Sequence, residues 1–251
     1  MQKKVFGLIG NNLGNTFSKD YFTQKFNSNN LPYSYENFSI PSIEAIENIF
    51  KTNDLAGLNI TKPYKETVIP YLDALAESAS ACAAVNCIEI LPNGKRIGHN
   101  TDRLGFQNSL LNFIGSNRNL KALVFGDGGA AKAVISCLSK LEIPFLQVTR
   151  KETLQAHQIA YHSLSENVIA KHLLLIQCTP VGMFPNEMEL LPIPFNGIGS
   201  EHYCFDLIYL PAKSNFLLAA EKYGAKIKNG LEMLHLQADE AYHIWMNQET
   251  F

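Results

Sequence analysis

The chain is poor in charge. Of its 251 residues, 18% are Asp, Glu, Lys or Arg, against about 25% in ordinary soluble domains. The 21 basic and 23 acidic residues leave a formal net charge of −2. So even a balance excludes a solvated, disordered protein, and without a basic stripe no nucleic-acid partner is expected. No apolar run approaches the ~20 residues needed to cross a bilayer, so no membrane partner is expected either. The opening segment Met1–Gly10 is basic and then apolar, like the front of a signal peptide, but polar Asn11 and Asn12 end it. It reads as a buried first strand of a cytoplasmic protein. The five cysteines include no Cys-x-x-Cys, which argues against a disulfide framework and for a reducing compartment. The seven histidines show no zinc spacing, so no protein-held metal is expected. Repeats and low-complexity tracts are also missing. What is present is 46% hydrophobic residues, enough core for one large domain or two small ones.

Strand patterns alternate with helical ones. Strands are expected at Val5–Gly10, Tyr33–Ile40 and Leu55–Thr61, with Tyr21, Phe22 and Phe26 at helical spacing between the first two. Ser42 suits the cap of a helix over Ile43–Phe50. Pro63 suits the first turn of a helix running toward Leu75. Val85–Leu91 and Lys95–Thr101 flank Asn93-Gly94 and read as a hairpin. A helix follows from about Arg103 to Ile114. A second series then begins, with strands at Leu120–Phe125, Phe145–Thr149, Leu173–Gln177, Tyr203–Ile208 and Ala225–Lys228. Its helices are expected at Ala131–Leu141, Ser214–Tyr223 and Leu231–Met246. Alternation of this kind argues for parallel sheets, and two series joined near residues 102–118 argue for two α/β domains.

Leu120–Phe125 leads into Gly126-Asp127-Gly128-Gly129-Ala130-Ala131. This is Gly-x-Gly-x-x-Ala after a strand and before a helix, the context in which the pattern signals a dinucleotide. Gly126 allows a tight turn, Gly128 lets backbone approach a pyrophosphate, and Ala131 lets helix and strand pack closely. The helix start attracts phosphate. The next strand, Phe145–Thr149, ends in Arg150-Lys151, with no acid before Glu152. Cations there suit the 2′-phosphate of NADP, where NAD sites usually offer an acid. The plainer reading is a solvated Arg-Lys pair at a strand end.

Three polar clusters sit where the first series changes element. Asn59 and Thr61 share one face of a strand, and Lys65 follows in the first turn of the expected helix, an unfavourable place for a cation. Asn86 enters an apolar strand. Asp102 closes Gly98-His99-Asn100-Thr101-Asp102. Each has an ordinary alternative: a surface lysine, a loop Asn bonding local backbone, an Asp capping a helix. Together, amides, hydroxyls, one Lys and one Asp suit a small polyhydroxylated substrate. A Lys–Asp pair beside a nicotinamide suits carbonyl reduction, the lysine supplying a proton or stabilising the alkoxide while the carboxylate orients the hydroxyl. Cys82 and Cys87 read as small buried hydrophobes, His99 as a local hydrogen-bonding group, and the aromatic stripe as core.

With these residues in view, the chain resembles the shikimate dehydrogenase family over nearly its whole length. The resemblance rests on Gly7-Leu8-Ile9-Gly10 with Thr16-Phe17-Ser18, Gly57–Lys65, Ala84-Val85-Asn86, Asn100-Thr101-Asp102-x-x-Gly105 and Gly126–Ala131. It continues through Thr179-Pro180-x-Gly182-Met183, Asp206-Leu207-Ile208-Tyr209-x-Pro211 and Gly230-x-x-Met233-Leu234-x-x-Gln237-Ala238. It implies NADP-dependent, reversible reduction of 3-dehydroshikimate to shikimate on the route to chorismate and aromatic amino acids. The implied fold is two α/β domains with a cleft between them. Residues 1–102 and 231–251 would form a substrate domain with a mostly parallel sheet, and 103–230 a Rossmann-like NADP domain. Lys65 and Asp102 are then the catalytic pair. Asn59, Thr61, Asn86, Tyr209 and Gln237, with that pair, hold ring hydroxyls, and Thr16 and Ser18 hold the carboxylate. Gly126, Asp127, Gly128, Gly129, Ala130 and Ala131, with Thr149, Arg150, Lys151, Thr179, Met183, Leu207 and Gly230, hold NADP, and Trp245 is core. The protein is expected to be a monomer or homodimer.

The chain departs from the family at several positions. Thr16 stands where Ser is common, adding a methyl at the carboxylate end. Cys87, Thr149, Gln177 and Cys178 replace more usual residues. Asp127 puts an acid in the phosphate turn, which is uncomfortable unless it points away. The rival readings are a quinate/shikimate dehydrogenase with relaxed substrate and cofactor use, and a non-catalytic NADP- or shikimate-binding regulator on the same scaffold.

Overall fold

The computed structural model describes residues 3–117 and 119–247. Two compact units emerge: residues up to Thr101 together with those from Ala238 onward, and Asp102–Gln237. Residues 1–2, 118 and 248–251, which fall within the two expected domains, lie outside the described residues.

The first unit is built on six strands: β1 (Lys4–Gly10), β2 (Tyr33–Ser39), β3 (Leu55–Ile60), β4 (Ala74–Leu75), β5 (Cys87–Ile90) and β6 (Arg96–His99). They lie in the order β2-β1-β3-β5-β6-β4. β1 runs parallel to β2 and β3, whereas β5 is antiparallel to both β3 and β6. The Asn-Gly turn forms as expected, Gly94 donating its N–H to the Leu91 carbonyl at 2.8 Å. Helices α1 (Phe17–Ser28), α2 (Ile46–Ile49) and α3 (Glu77–Ser80) accompany the sheet. Side chains alternate across the sheet as strand geometry requires. Phe6 and Leu8 join Phe22, Phe26, Tyr35 and Trp245 in one core, and Ile9 joins Ile46, Leu58, Ile60 and Val68 in another. The Trp245 ring lies 4.9 Å from Phe6 and 5.0 Å from Phe22, and its Nε1–H donates to the Ile88 carbonyl at 3.1 Å.

One expectation is overturned. No regular helix follows Pro63; residues 62–68 form hydrogen-bonded turns and Ile69–Tyr71 a single 3-10 turn. The backbone shows why. The Lys65 carbonyl, which a helix would commit to residue 69, instead accepts the Val85 N–H at 2.7 Å. Pro70 lacks the N–H that the next turn would need. The dipole argument for Lys65 therefore lapses.

The second unit follows the alternating plan. It holds α4 (Thr101–Ile114), β7 (Ala122–Phe125), α5 (Gly129–Lys140), β8 (Phe145–Thr149), β9 (Gln158–Ala160), α6 (Glu166–Lys171), β10 (Leu174–Gln177), β11 (Tyr203–Asp206), α7 (Asn215–Lys222) and β12 (Lys226–Lys228). The last helix, α8 (Leu231–Met246), starts here and ends in the first unit. The sheet order is β12-β11-β10-β7-β8-β9, every pair parallel. The order reverses between β7 and β10, the switch point where such sheets bind ligands beyond their carboxyl ends. Ala122 and Val124 face one core with Phe205 and Met233, and Leu123 and Phe125 face the other with Phe216 and Leu217. Strands buried on both faces fit a parallel sheet covered by helices.

Candidate active site

In the first unit several of the expected substrate residues form a connected polar line through a buried interior. Asn59 is 6% exposed, Asn86 3% and Thr101 1%. The Tyr35 hydroxyl donates to Asn59 Oδ1 at 2.7 Å, and Asn59 Nδ2 donates to the Asn86 carbonyl at 3.3 Å. Asn86 Oδ1 in turn accepts the Thr101 N–H at 2.7 Å, and its Nδ2 donates to Thr101 Oγ1 at 3.0 Å. Asn86 thus accepts the first amide of α4, a cap supplied from the bend just before β5. Asp102 is not the cap the plainer reading offered; it lies inside the first turn, where a negative charge suits the helix dipole. Buried beside it, Asn100 Nδ2 donates to the Ala84 carbonyl at 2.9 Å. Lys65 is half-buried on the turn after β3.

Thr16 caps α1: its Oγ1 accepts the Lys19 N–H at 3.3 Å and donates to Asn37 Oδ1 at 3.0 Å. Ser18, one residue into that helix, lies near the Tyr35 hydroxyl and favours its ionised form slightly. Burial pushes the Tyr35 phenol well above its ordinary pKa, so it remains a donor toward Asn59. Tyr35 and Asn37 are participants the sequence did not single out. The available signal was their alternation along β2, which puts both on the face of β1's aromatic partners. His99 behaves as expected, its Nε2 lying 3.1 Å from Glu89 Oε2. Cys82 and Cys87 are buried, and burial pushes the Cys87 thiol up.

In the second unit the glycine-rich turn sits at the switch point. Gly126 has φ +118°, a backbone region that side chains rarely adopt. It also lies against Thr179, whose Cγ2 would be 3.2 Å from an added Cβ. Gly128 is the N-cap of α5, and a Cβ there would meet no protein atom within 4 Å. No side chain caps the first turn of α5 and no protein atom crowds Gly128, an arrangement that suits a pyrophosphate. Ala131 is fully buried, as close helix–strand packing requires. Buried Thr149 accepts the Lys151 N–H at 3.2 Å, while Arg150 and Lys151 are exposed at the end of β8. Asp127 points sideways, its Oδ2 3.5 Å from Lys151 Nζ.

Gln177 organises the turn after β10. Its Oε1 accepts the Thr179 hydroxyl at 2.8 Å, and its Nε2 donates to the Val181 carbonyl at 2.9 Å. Met183 is 42% and Tyr209 39% exposed. Gly230 packs on Leu207 so closely that a Cβ would overlap the Leu207 carbonyl. Gln237, half-buried in α8, donates to the Leu234 carbonyl at 2.9 Å. Tyr161, at the end of β9, escaped notice in the sequence. Its buried hydroxyl has no hydrogen-bond partner among the described residues, and burial raises its pKa to about 12. Among the described residues, no group of three or more His, Cys, Asp or Glu is placed to hold a metal, and no helix is long and apolar enough to cross a membrane.

Asp206, at the end of β11, is fully buried; it accepts the Ser214 hydroxyl and, at 2.9 Å, the Ile208 N–H. Desolvation raises its pKa from 3.8 to about 7, those hydrogen bonds opposing the shift. The folded state therefore holds this proton more tightly than the unfolded chain. Its contribution to stability is complete below pH ~4 and is lost as pH rises toward ~7, on the order of a few kcal/mol. Asp206→Asn keeps a neutral acceptor for Ile208 and is expected to flatten that dependence and to stabilise the protein at pH 8. Urea unfolding at pH 5 and pH 8 checks this; an unchanged slope would refute it.

Comparison with known proteins places this geometry. Residues 8–88 match the family model described as the shikimate dehydrogenase substrate binding domain. A shikimate dehydrogenase (NADP(+)) of Staphylococcus epidermidis is 32% identical over 257 aligned positions, covering 99% of this chain and 93% of that protein. Among solved structures, a chorismate mutase/shikimate 5-dehydrogenase fusion protein from Clostridium acetobutylicum superposes with a TM-score of 0.88 at 32% identity, over 98% of this chain and 92% of that one. The Thermus thermophilus shikimate 5-dehydrogenase, solved with NADP(H) and shikimate, superposes with a TM-score of 0.84 at 26% identity, over 97% and 94% of the two chains. Kinship across both units, on a parallel sheet with its glycine turn at the switch point, makes this chain a member of the shikimate dehydrogenase family.

Proposed function

We propose that this protein is an NADP-dependent shikimate dehydrogenase, catalysing the reversible reduction of 3-dehydroshikimate to shikimate. The observation that carries this reading is the 32% identity over 99% of the chain with a protein named for that activity. We assign the substrate domain to the first compact unit and the cofactor domain to the second, so the boundaries fall after Thr101 and after Gln237 rather than after Asp102 and Gly230 as expected.

The open space before Gly128 and the uncapped first turn of α5 fit a pyrophosphate. The backbone of Gly126, Asp127, Gly128, Gly129, Ala130 and Ala131 would hold it. Thr149, Arg150 and Lys151 would hold the adenosine end with its 2′-phosphate, and Thr179, Met183, Leu207 and Gly230 the nicotinamide end. NADPH, when bound, supplies the hydride. Lys65 gives a proton to, or electrostatically holds, the oxygen that becomes the alkoxide. Asp102 orients the same hydroxyl and balances the ammonium. Asn59, Thr61, Asn86, Tyr209 and Gln237 position the remaining hydroxyls, and Thr16 and Ser18 the carboxylate. The line from Tyr35 to Thr101 fixes Asn59 and Asn86 in advance, so little ordering is left to binding. The protein acts as a monomer or homodimer in the cytoplasm, a setting that suits its five free cysteines.

The test is absorbance at the NADPH band with purified protein. Shikimate plus NADP+ is expected to give steady turnover, with quinate and NAD+ slower as alternatives. Ligand-induced stabilisation without turnover would point to a regulator and overturn the reading.

A further inference from the structure

The acid in the phosphate turn has a definite neighbour. Asp127 belongs to the loop after β7 and Lys151 to the loop after β8, and their side chains meet as an exposed ion pair of 3.5 Å. Thr149 Oγ1 anchors the Lys151 backbone amide at 3.2 Å, so the lysine departs from a fixed point. Two exposed cations, Arg150 and Lys151, follow β8 here, and Lys151 is the one that pairs with the carboxylate. The charges of Arg150 and Asp127 both act on the Tyr161 hydroxyl, which is buried and has no hydrogen-bond partner among the described residues.

From this arrangement we propose that Asp127 is a specificity-determining residue: it holds Lys151 in an ion pair that a 2′-phosphate must displace, and so narrows the preference for NADP over NAD. The proposal rests on the reading that Arg150 and Lys151 receive the 2′-phosphate. NAD carries a hydroxyl there, and on its binding the pair persists. NADP draws Lys151 from one anion to another, so part of the new attraction replaces an old one. An exposed pair contributes little, and salt weakens it further. The effect is therefore a graded adjustment of cofactor choice.

The experiment measures NADP+ and NAD+ dissociation constants by calorimetry at low salt for four proteins: wild type, Asp127→Asn, Lys151→Ala and the double variant. Asp127→Asn is expected to tighten NADP+ about threefold to fivefold and to leave NAD+ within about twofold. Lys151→Ala is expected to weaken NADP+, and in that background Asp127→Asn should change NADP+ affinity by less than about twofold. The tightening should shrink at high salt. Two outcomes overturn the proposal while leaving the function intact: unchanged NADP+ affinity in Asp127→Asn, or an equal gain with and without Lys151, which would mean direct repulsion. If Lys151→Ala binds NADP+ like wild type, the proposal falls together with the assignment of the 2′-phosphate. Failure of the wild type to bind NADP+ at all would instead sink the proposed function.

Discussion

Lys65→Ala is expected to lower kcat for shikimate oxidation by about 10²–10⁴-fold, the usual contribution of a positioned acid–base group. The fold should survive. Lys65 lies on a turn, and alanine retains the bond from its backbone carbonyl to the Val85 N–H. The affinity for NADP+ should stay near that of wild type, because the lysine is assigned to the other partner. Lys65→Met keeps the aliphatic stem and should be equally slow, which separates loss of the ammonium from loss of packing. Circular dichroism, NADP+ titration and steady-state rates together form the check. A folded Lys65→Ala protein turning over within tenfold of wild type would remove Lys65 from the mechanism.

Trp245→Ala should cost about 3–5 kcal/mol of stability, in the range for deleting a large core aromatic. The ring is fully buried among Phe6, Phe22 and Tyr35, donates to the Ile88 carbonyl, and lies flat on Gly57, where any side chain would overlap the indole. Alanine would leave a cavity and remove the indole's hydrogen bond together. Trp245→Phe should cost less while still losing the hydrogen bond. This is the sole tryptophan, so urea unfolding of the variants is followed by far-UV circular dichroism. A loss below about 1 kcal/mol would mean that this core closes without the ring.

Local chemistry explains which features were readable in advance. The glycine turn, the Asn-Gly hairpin and the parallel strands of the second unit announce themselves through spacing and composition. Asn59, Asn86 and Asp102 were identifiable as unusual polar residues among apolar neighbours. What Asn59 and Asn86 touch was not, because their partners are remote: Tyr35 reaches Asn59 from 24 positions away, and Asn86 caps a helix 15 positions on. The misjudged helix after Pro63 has the same cause, a carbonyl claimed by Val85 across the fold. Asp127 looked like a misplaced charge only until β8 brought Lys151 beside it. Short elements such as β4, β9 and α6 carry too few residues for periodicity to separate them from loops.

The discontinuity of the first unit has a consequence for biosynthesis. Domains usually mature from the amino end as the ribosome advances at about 5–20 residues per second. Here the nascent chain exposes Phe6, Phe22 and Tyr35 early, yet the indole that fills their centre belongs to the final helix. The contiguous middle segment can therefore close while its predecessor still waits, an inverted maturation order that leaves the apolar faces of the first strands uncovered longest.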